Sequence, residues 1–289
     1  MSRLIVNADD FGLTAGVNRA IVELAAAGAV TSATLMARAE ATAGAIAAAR
    51  SSPSLGVGCH VVLVDGEPVL PPAQIPTLVA PGTGRFHPTL GAFLARLFMG
   101  RIRAAEIEAE AAAQIALLQS SGLALTHIDT HKHVHLFPAV LRPLVRTARA
   151  AGIRAIRNPF EPAWCVRATP RAPRLRSFQV RLTRRFEPAF LRILKQHEFA
   201  TTGGTLGVLA TGTLDAAALP ALLQRLPAGT WELVTHPGYN DADLARVRTR
   251  LRAARQHELN ALHSLGRIAG IEYISFASLN RLPRIQKQD

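Results

Sequence analysis

Leu4-Ile5-Val6-Asn7-Ala8-Asp9-Asp10-Phe11-Gly12 decides the fold. The run from Leu4 to Ala8 is apolar almost throughout, the pattern of a strand covered on both faces. It ends on two adjacent acids, and the C-terminal ends of strands are where barrels and open α/β sheets build their sites. Val61-Val62-Leu63 is a second continuous apolar run. Working outward, strands are predicted at 4–8, 56–63, 127–130, 155–158, 232–235 and 272–276. Helices are predicted at 16–27, 40–51, 104–121, 138–151, 215–226 and 243–265. Strand followed by helix, repeated, predicts an α/β fold: a TIM-barrel-like (β/α) barrel of parallel strands with its active site at the strand C-terminal rim.

The composition bounds the rest. Of 289 residues, 49% are hydrophobic and 18% charged, which supplies a core and argues against a disordered chain. One domain spanning 1–289 is expected. Cys59 and Cys165 are too few for a disulfide framework, and the absence of a Cys-x-x-Cys pair excludes a zinc ribbon. The N-terminal apolar run is too short for a signal peptide. The stretch 21–37 is broken by Glu23, Gly28, Thr31, Ser32 and Thr34 and falls short of a membrane span, so a soluble cytoplasmic protein is expected.

Two segments interrupt the rhythm. Six prolines fall in 64–100, a connection long enough to suggest a functional loop. The segment 166–195 holds nine basic residues against one acid, Glu187, and so carries over half of the net charge of +13. Phe178, Leu182, Phe186, Phe190 and Leu194 recur every fourth position, which predicts a basic amphipathic helix kinked at Pro188. Such a helix suits peripheral contact with an anionic membrane; the other reading is a lid or dimer surface with solvated arginines. Aromatic residues make up only 5%, and no nucleic-acid recognition motif appears, so nucleic acid is not an expected partner.

The chemistry concentrates in four places. Asp9 and Asp10 repel one another, so one can bind a cation while its neighbour acts as a base; a turn with a helix N-cap is the plainer reading. His60 lies on a second strand, where it is either a ligand or a hydrogen-bonded core residue. Thr126-His127-Ile128-Asp129-Thr130-His131-Lys132-His133-Val134-His135 packs four histidines and an acid into ten residues. Its spacing does not choose a ligand: His127 and His131 share a helical face, whereas His131, His133 and His135 share a strand face. His236 closes a late strand before Pro237-Gly238, placed to donate a proton. One Asp with two His makes an open metal site, and the implied chemistry is metal-assisted hydrolysis. A phosphoesterase, an amidohydrolase or a non-catalytic basic protein binding membrane or polyanion are the rival readings.

These residues, in this order, resemble the YdjC/ChbG family of carbohydrate deacetylases. The resemblance runs through Asn7–Gly12, Thr31-Ser32-Ala33-Thr34, Gly58-Cys59-His60, the histidine-rich stretch to Pro138, Ile156-Arg157, His236-Pro237-Gly238 and Arg255-Gln256-His257-Glu258-Leu259. It implies removal of acetyl groups from N-acetylated sugars. Asp9 would activate water, His236 would protonate the departing amine, and Asp10, His60 and His131 would hold one divalent metal ion. Arg157, His133 and His135 are the expected substrate-binding residues. The resemblance implies Mg²⁺, whereas two imidazoles favour Zn²⁺. It also implies a homodimer. Asp129-Thr130-His131-Lys132-His133, residues 64–72 and Asn158-Pro159-Phe160-Glu161-Pro162 look like the hopanoid-biosynthesis-associated HpnK-type branch. That branch implies an N-acetylglucosaminyl hopanoid as substrate and a position at the inner membrane. Chitooligosaccharide or diacetylchitobiose is the alternative substrate.

Overall fold

The computed structural model describes residues 1–169 and 174–279. Positions 170–173 of the Arg-rich segment therefore lie outside the described residues. In chain order the elements are β1 (Ser2–Phe11), α1 (Ala15–Ala26), β2 (Ser32–Leu35), α2 (Thr42–Arg50), β3 (Gly56–Val61), α3 (Leu90–Phe98) and α4 (Ala104–Ser120). There follow β4 (Ile128–Thr130), α5 (Pro138–Ala150), α6 (Ala163–Ala168), α7 (Arg174–Thr183), α8 (Glu187–His197) and β5 (Thr205–Leu206). The chain then forms α9 (Ala218–Leu223), β6 (Gly229–Thr235), α10 (Ala242–Arg246), α11 (Arg252–Leu265), β7 (Ile271–Tyr273) and α12 (Phe276–Leu279).

All pairings within the main sheet are parallel, in the order β4-β3-β2-β1-β6-β5, with β7 added against the first residues of β1. The sheet curls but does not close. Past β4 only isolated bridges continue it, Ile128 with Ile156 and Ala155 with Ala200, so the expected full barrel is corrected to an open, curled half-barrel. The strand predicted at 155–158 shrinks to those bridges, and Pro159 and Pro162 just after it have no N–H with which to extend the ladder. The helix predicted at 243–265 is likewise two, α10 and α11.

The curl gives each strand two different faces. Leu4, Val6 and Ala8 pack outward into the main core with Ala33, Leu35, Val57, Cys59, Val61 and Leu233. Ile5 faces inward, in a small cluster with Ala155, Ile274, Phe276 and Leu279. Strand alternation then places Asn7 and Asp9 on the inner face beyond Ile5. The same parity carries Thr34, His60, Asp129 and Glu232 inward from β2, β3, β4 and β6. The half-barrel is thus apolar outside, plugged by Phe276 at one end, and polar toward the strand C-termini.

The Pro-rich loop is folded against α4. Glu110 accepts hydrogen bonds from the backbone of Val69 and Leu70 (2.8 and 3.1 Å), and Glu106 accepts from the backbone N–H and hydroxyl of Thr77 (2.7 Å each). Each buried carboxylate satisfies backbone donors that loop geometry leaves open.

Candidate active site

Successive strand residues point to opposite faces, yet Asp9 and Asp10 both lie beside His60. Asp10 has φ +63°, in the left-handed region, and the register of β1 against β2 slips between Ala8 and Phe11. This irregularity turns the Asp10 carboxylate in beside that of Asp9. Gly12, at φ +101°, completes the turn; its N–H donates to Asn18 Oδ1 at 2.7 Å, and the Thr14 hydroxyl caps α1. A second strained turn follows β4, where Lys132 and His133 have φ +58° and +53°. Left-handed residues other than glycine cost about 1–2 kcal/mol each, and such strain clusters at sites that need an unusual side-chain direction.

Three ligand atoms converge. Asp10 Oδ1 lies 3.4 Å from His60 Nε2 and 3.4 Å from His131 Nδ1, and the two imidazole nitrogens are 3.3 Å apart. A triangle this size would suit one ion held at ligand distances of about 2.0–2.2 Å. The register of β3 and β4 sets His60 opposite Asp129, and His60 Nδ1 bonds Asp129 Oδ1 at 2.7 Å. That bond leaves the His60 Nε2 lone pair for a metal, the usual carboxylate–histidine–metal relay. Charge agrees with geometry. The carboxylates of Asp9, Asp10, Asp129 and Glu232 outnumber the two guanidinium groups that meet them, Arg157 and Arg255, so the network favours a further cation. Burial alone would lower the His60 pKa, but Asp129 and Asp10 outweigh it and push it up to about 10. In the metal-free protein a proton thus takes part of the cation's place.

Asp9 is held from all sides. Its Oδ1 accepts from Asn7 Nδ2 (2.9 Å), the Thr34 hydroxyl (3.1 Å) and Arg157 Nη2 (2.6 Å); its Oδ2 accepts from Arg157 Nη1 (2.8 Å). Burial would raise its pKa, but Arg157, His60 and His236 together hold it well below the carboxylate range. Asp10 is held low against burial by Arg255 and the two histidines. His236 Nε2 is 3.8 Å from Asp9 Oδ2, beyond a direct hydrogen bond but close enough for both to bond one shared atom beside them. Its backbone N–H donates to Glu258 Oε2 at 2.6 Å, and its Nδ1 is buried without a partner. His131 and His236, with side chains 22% and 14% exposed, form the open side.

The structure therefore brings together Asp9, Asp10, His60, His131 and His236. Arg157 and His135, two of the residues expected to bind substrate, lie deep in the charged network. Arg157 is fully buried and its guanidinium is taken up by Asp9, Asp129 and Glu232, the last at 2.7 Å. His135 is fully buried between the Thr130 hydroxyl (2.7 Å) and the Arg157 carbonyl (3.3 Å). His133 is half-buried with Nδ1 unpartnered, and burial with the Arg157 charge lowers its pKa to about 3, so it presents a neutral ring. Glu232, Asp129, Arg255 and Glu258 also line this network; they fall within the strands and motifs read from the sequence, which gave them no role. A charged residue inside a buried strand, such as Glu232, demands a buried partner, and that signal was present.

Comparison with known proteins agrees with this geometry. Residues 3–266 match the profile of the YdjC-like protein family. A carbohydrate deacetylase of Brevibacillus brevis is 44% identical over 146 residues, half of this chain and 55% of its own length. One from Geobacillus stearothermophilus is 45% identical over 159 residues, half of this chain and 60% of its own length. The matches thus span little more than half of these two bacterial relatives. A mouse carbohydrate deacetylase is 32% identical over 246 residues, covering 82% of this chain and 78% of its own. A solved structure from Enterococcus faecalis V583, provisionally named for cellobiose-phosphate cleavage, superimposes with a TM-score of 0.76 at 26% identity, covering 96% of this chain and 98% of that one. On the near full-length profile match, the chain belongs to the YdjC-like protein family.

Proposed function

We propose that the chain is a carbohydrate N-deacetylase that hydrolyses the acetamide of an N-acetylated sugar. The observation that carries this reading is the Asp10–His60–His131 triangle of 3.3–3.4 Å edges, with Asp9 and His236 beside it. The relatives named carbohydrate deacetylases support it. Asp10, His60 and His131 would hold the ion. A bound divalent cation polarises the acetyl carbonyl and lowers the pKa of water to about 7. Asp9, ionised at any neutral pH, accepts the water's proton as its oxygen adds to the carbonyl carbon. A carboxylate held so low is a weak base, which is why the water must be acidified first. His236 then passes a proton to the nitrogen as the C–N bond breaks, giving acetate and the free amine. Arg157 positions Asp9, and Arg255 positions Asp10. Two imidazoles favour Zn²⁺, while the resemblance favours Mg²⁺. The finer substrate we propose is an N-acetylglucosaminyl hopanoid, supported by the motifs at 64–72, 129–133 and 158–162.

Acetate release from N-acetylglucosamine conjugates tests this. Activity should disappear with a chelator and return with metal, and Asp9→Asn should lower kcat by about 10²–10⁴-fold, the range of a lost general base. Undiminished hydrolysis by Asp9→Asn, or after complete metal removal, overturns the assignment.

A further inference from the structure

The regular apolar spacing through 166–195 suggested one helix with one covered face. The structure splits it at residues 184–186, ahead of Pro188, and the two halves face different surroundings. In α8, Phe190, Ile193 and Leu194 are buried. In α7 the pattern turns outward: Phe178 is 63% and Leu182 42% exposed, and Arg181 and Arg185 stand exposed between and beyond them. Positions 178, 181, 182 and 185 form one helical stripe. A second exposed apolar pair closes α3: Phe98 at 65% and Met99 at 56%, with exposed Arg101 two residues on.

An aromatic chain joins the two patches. The Phe98 ring meets Phe137 edge-on at 5.3 Å, Phe137 meets Phe186 at 5.1 Å, and Phe186 lies one turn beyond Leu182. Phe137, which joins the two patches, ends the turn that begins with His131. Among the described residues, four of the five exposed large hydrophobic side chains lie here. Arg184 is paired with Glu187; Arg101, Arg181 and Arg185 have no acidic partner among the described residues.

We infer that this face docks on a lipid bilayer bearing anionic headgroups, with Phe98, Met99, Phe178 and Leu182 entering the headgroup boundary and Arg101, Arg181 and Arg185 meeting phosphate. Charge chooses the bilayer over a second copy of the chain. A two-fold interface sets a patch against itself, and arginines facing arginines repel. A bilayer supplies both complements at once, apolar depth and negative charge. The docking does not depend on the deacetylase reading, although together they suit a sugar carried on a lipid.

Vesicle flotation tests it. Wild type should float with mixed phosphatidylglycerol–phosphatidylcholine vesicles and not with phosphatidylcholine alone, and about 0.5 M salt should release it. Arg181→Glu/Arg185→Glu should weaken partitioning at least about tenfold, since each cation near the surface contributes about a fivefold factor. Phe98→Ser/Phe178→Ser should weaken it comparably while both variants keep the wild-type melting temperature. No flotation with anionic vesicles at low salt, or flotation of either variant equal to that of wild type, overturns the inference. So does sedimentation showing a wild-type dimer that Phe98→Ser/Phe178→Ser splits into monomers. Flotation without acetate release would sink only the deacetylase reading.

Discussion

At the scale of the residue, Arg157 organises the charges of the site. It is enclosed by Asp9, Asp129 and Glu232, which come from β1, β4 and β6. Breaking a buried pair by removing one partner costs about 3–5 kcal/mol, because the other charge stays uncompensated. Arg157→Met should therefore lower the melting temperature substantially. Asp9 would also lose the cation that most depresses its pKa, so the acid limb of the pH–rate profile should move to higher pH. Arg157→Lys should restore part of both; a profile unchanged in the methionine variant would remove Arg157 from the positioning role.

At the scale of the element, the inner faces of the strands are tightly made. His127 stacks on Phe276 with ring centroids 3.9 Å apart, and its Nε2 bonds Asn7 Oδ1 at 3.1 Å. A Cβ on Gly58 would fall 2.6 Å from that ring and 2.7 Å from the His127 carbonyl, backbone included. Gly58→Ala should thus destabilise by about 1–3 kcal/mol, as overpacking does, and displace the neighbouring His60. Thermal unfolding and metal titration check this, and wild-type values in both would show the strand able to yield. Much of this was legible in the sequence. Asn7 and Asp9, Gly58 and His60, His127 and Asp129, Thr230 and Glu232 each recur at two-residue spacing, the period of one strand face. The open sheet was not legible, because closure depends on whether 155–158 can complete a ladder, which is decided by neighbours far away in the chain. Nor was the turn at Asp10: a positive φ outside glycine leaves no mark in composition. The partnership of Arg255 with Asp10 was hidden for a like reason, since helix pattern says which side is buried and not which atom waits there.

At the scale of the whole molecule, buried histidines set the response to acid. Burial, together with nearby positive charge, lowers the pKa of His127 and His135 well below the usual imidazole range. A group depressed on folding contributes stability that is complete above its unfolded pKa and is lost as pH falls below it. Glu232, raised by burial to about 7, works the opposite way between pH 4.5 and 7, and it is outnumbered. The melting temperature should accordingly fall as pH drops below about 6.5, measured by calorimetry without metal. A flat profile from pH 7 to 5 would mean these rings ionise in place. The Arg157 hub has a last consequence, for synthesis. Asp10, His60 and His131 have all been joined to the chain by residue 131, but Glu232 and Arg255 are added about a hundred residues later. A nascent or truncated chain lacking β6 leaves the charges around Asp9 and Asp10 unbalanced, so the capacity to grip an ion should appear only when translation is nearly finished.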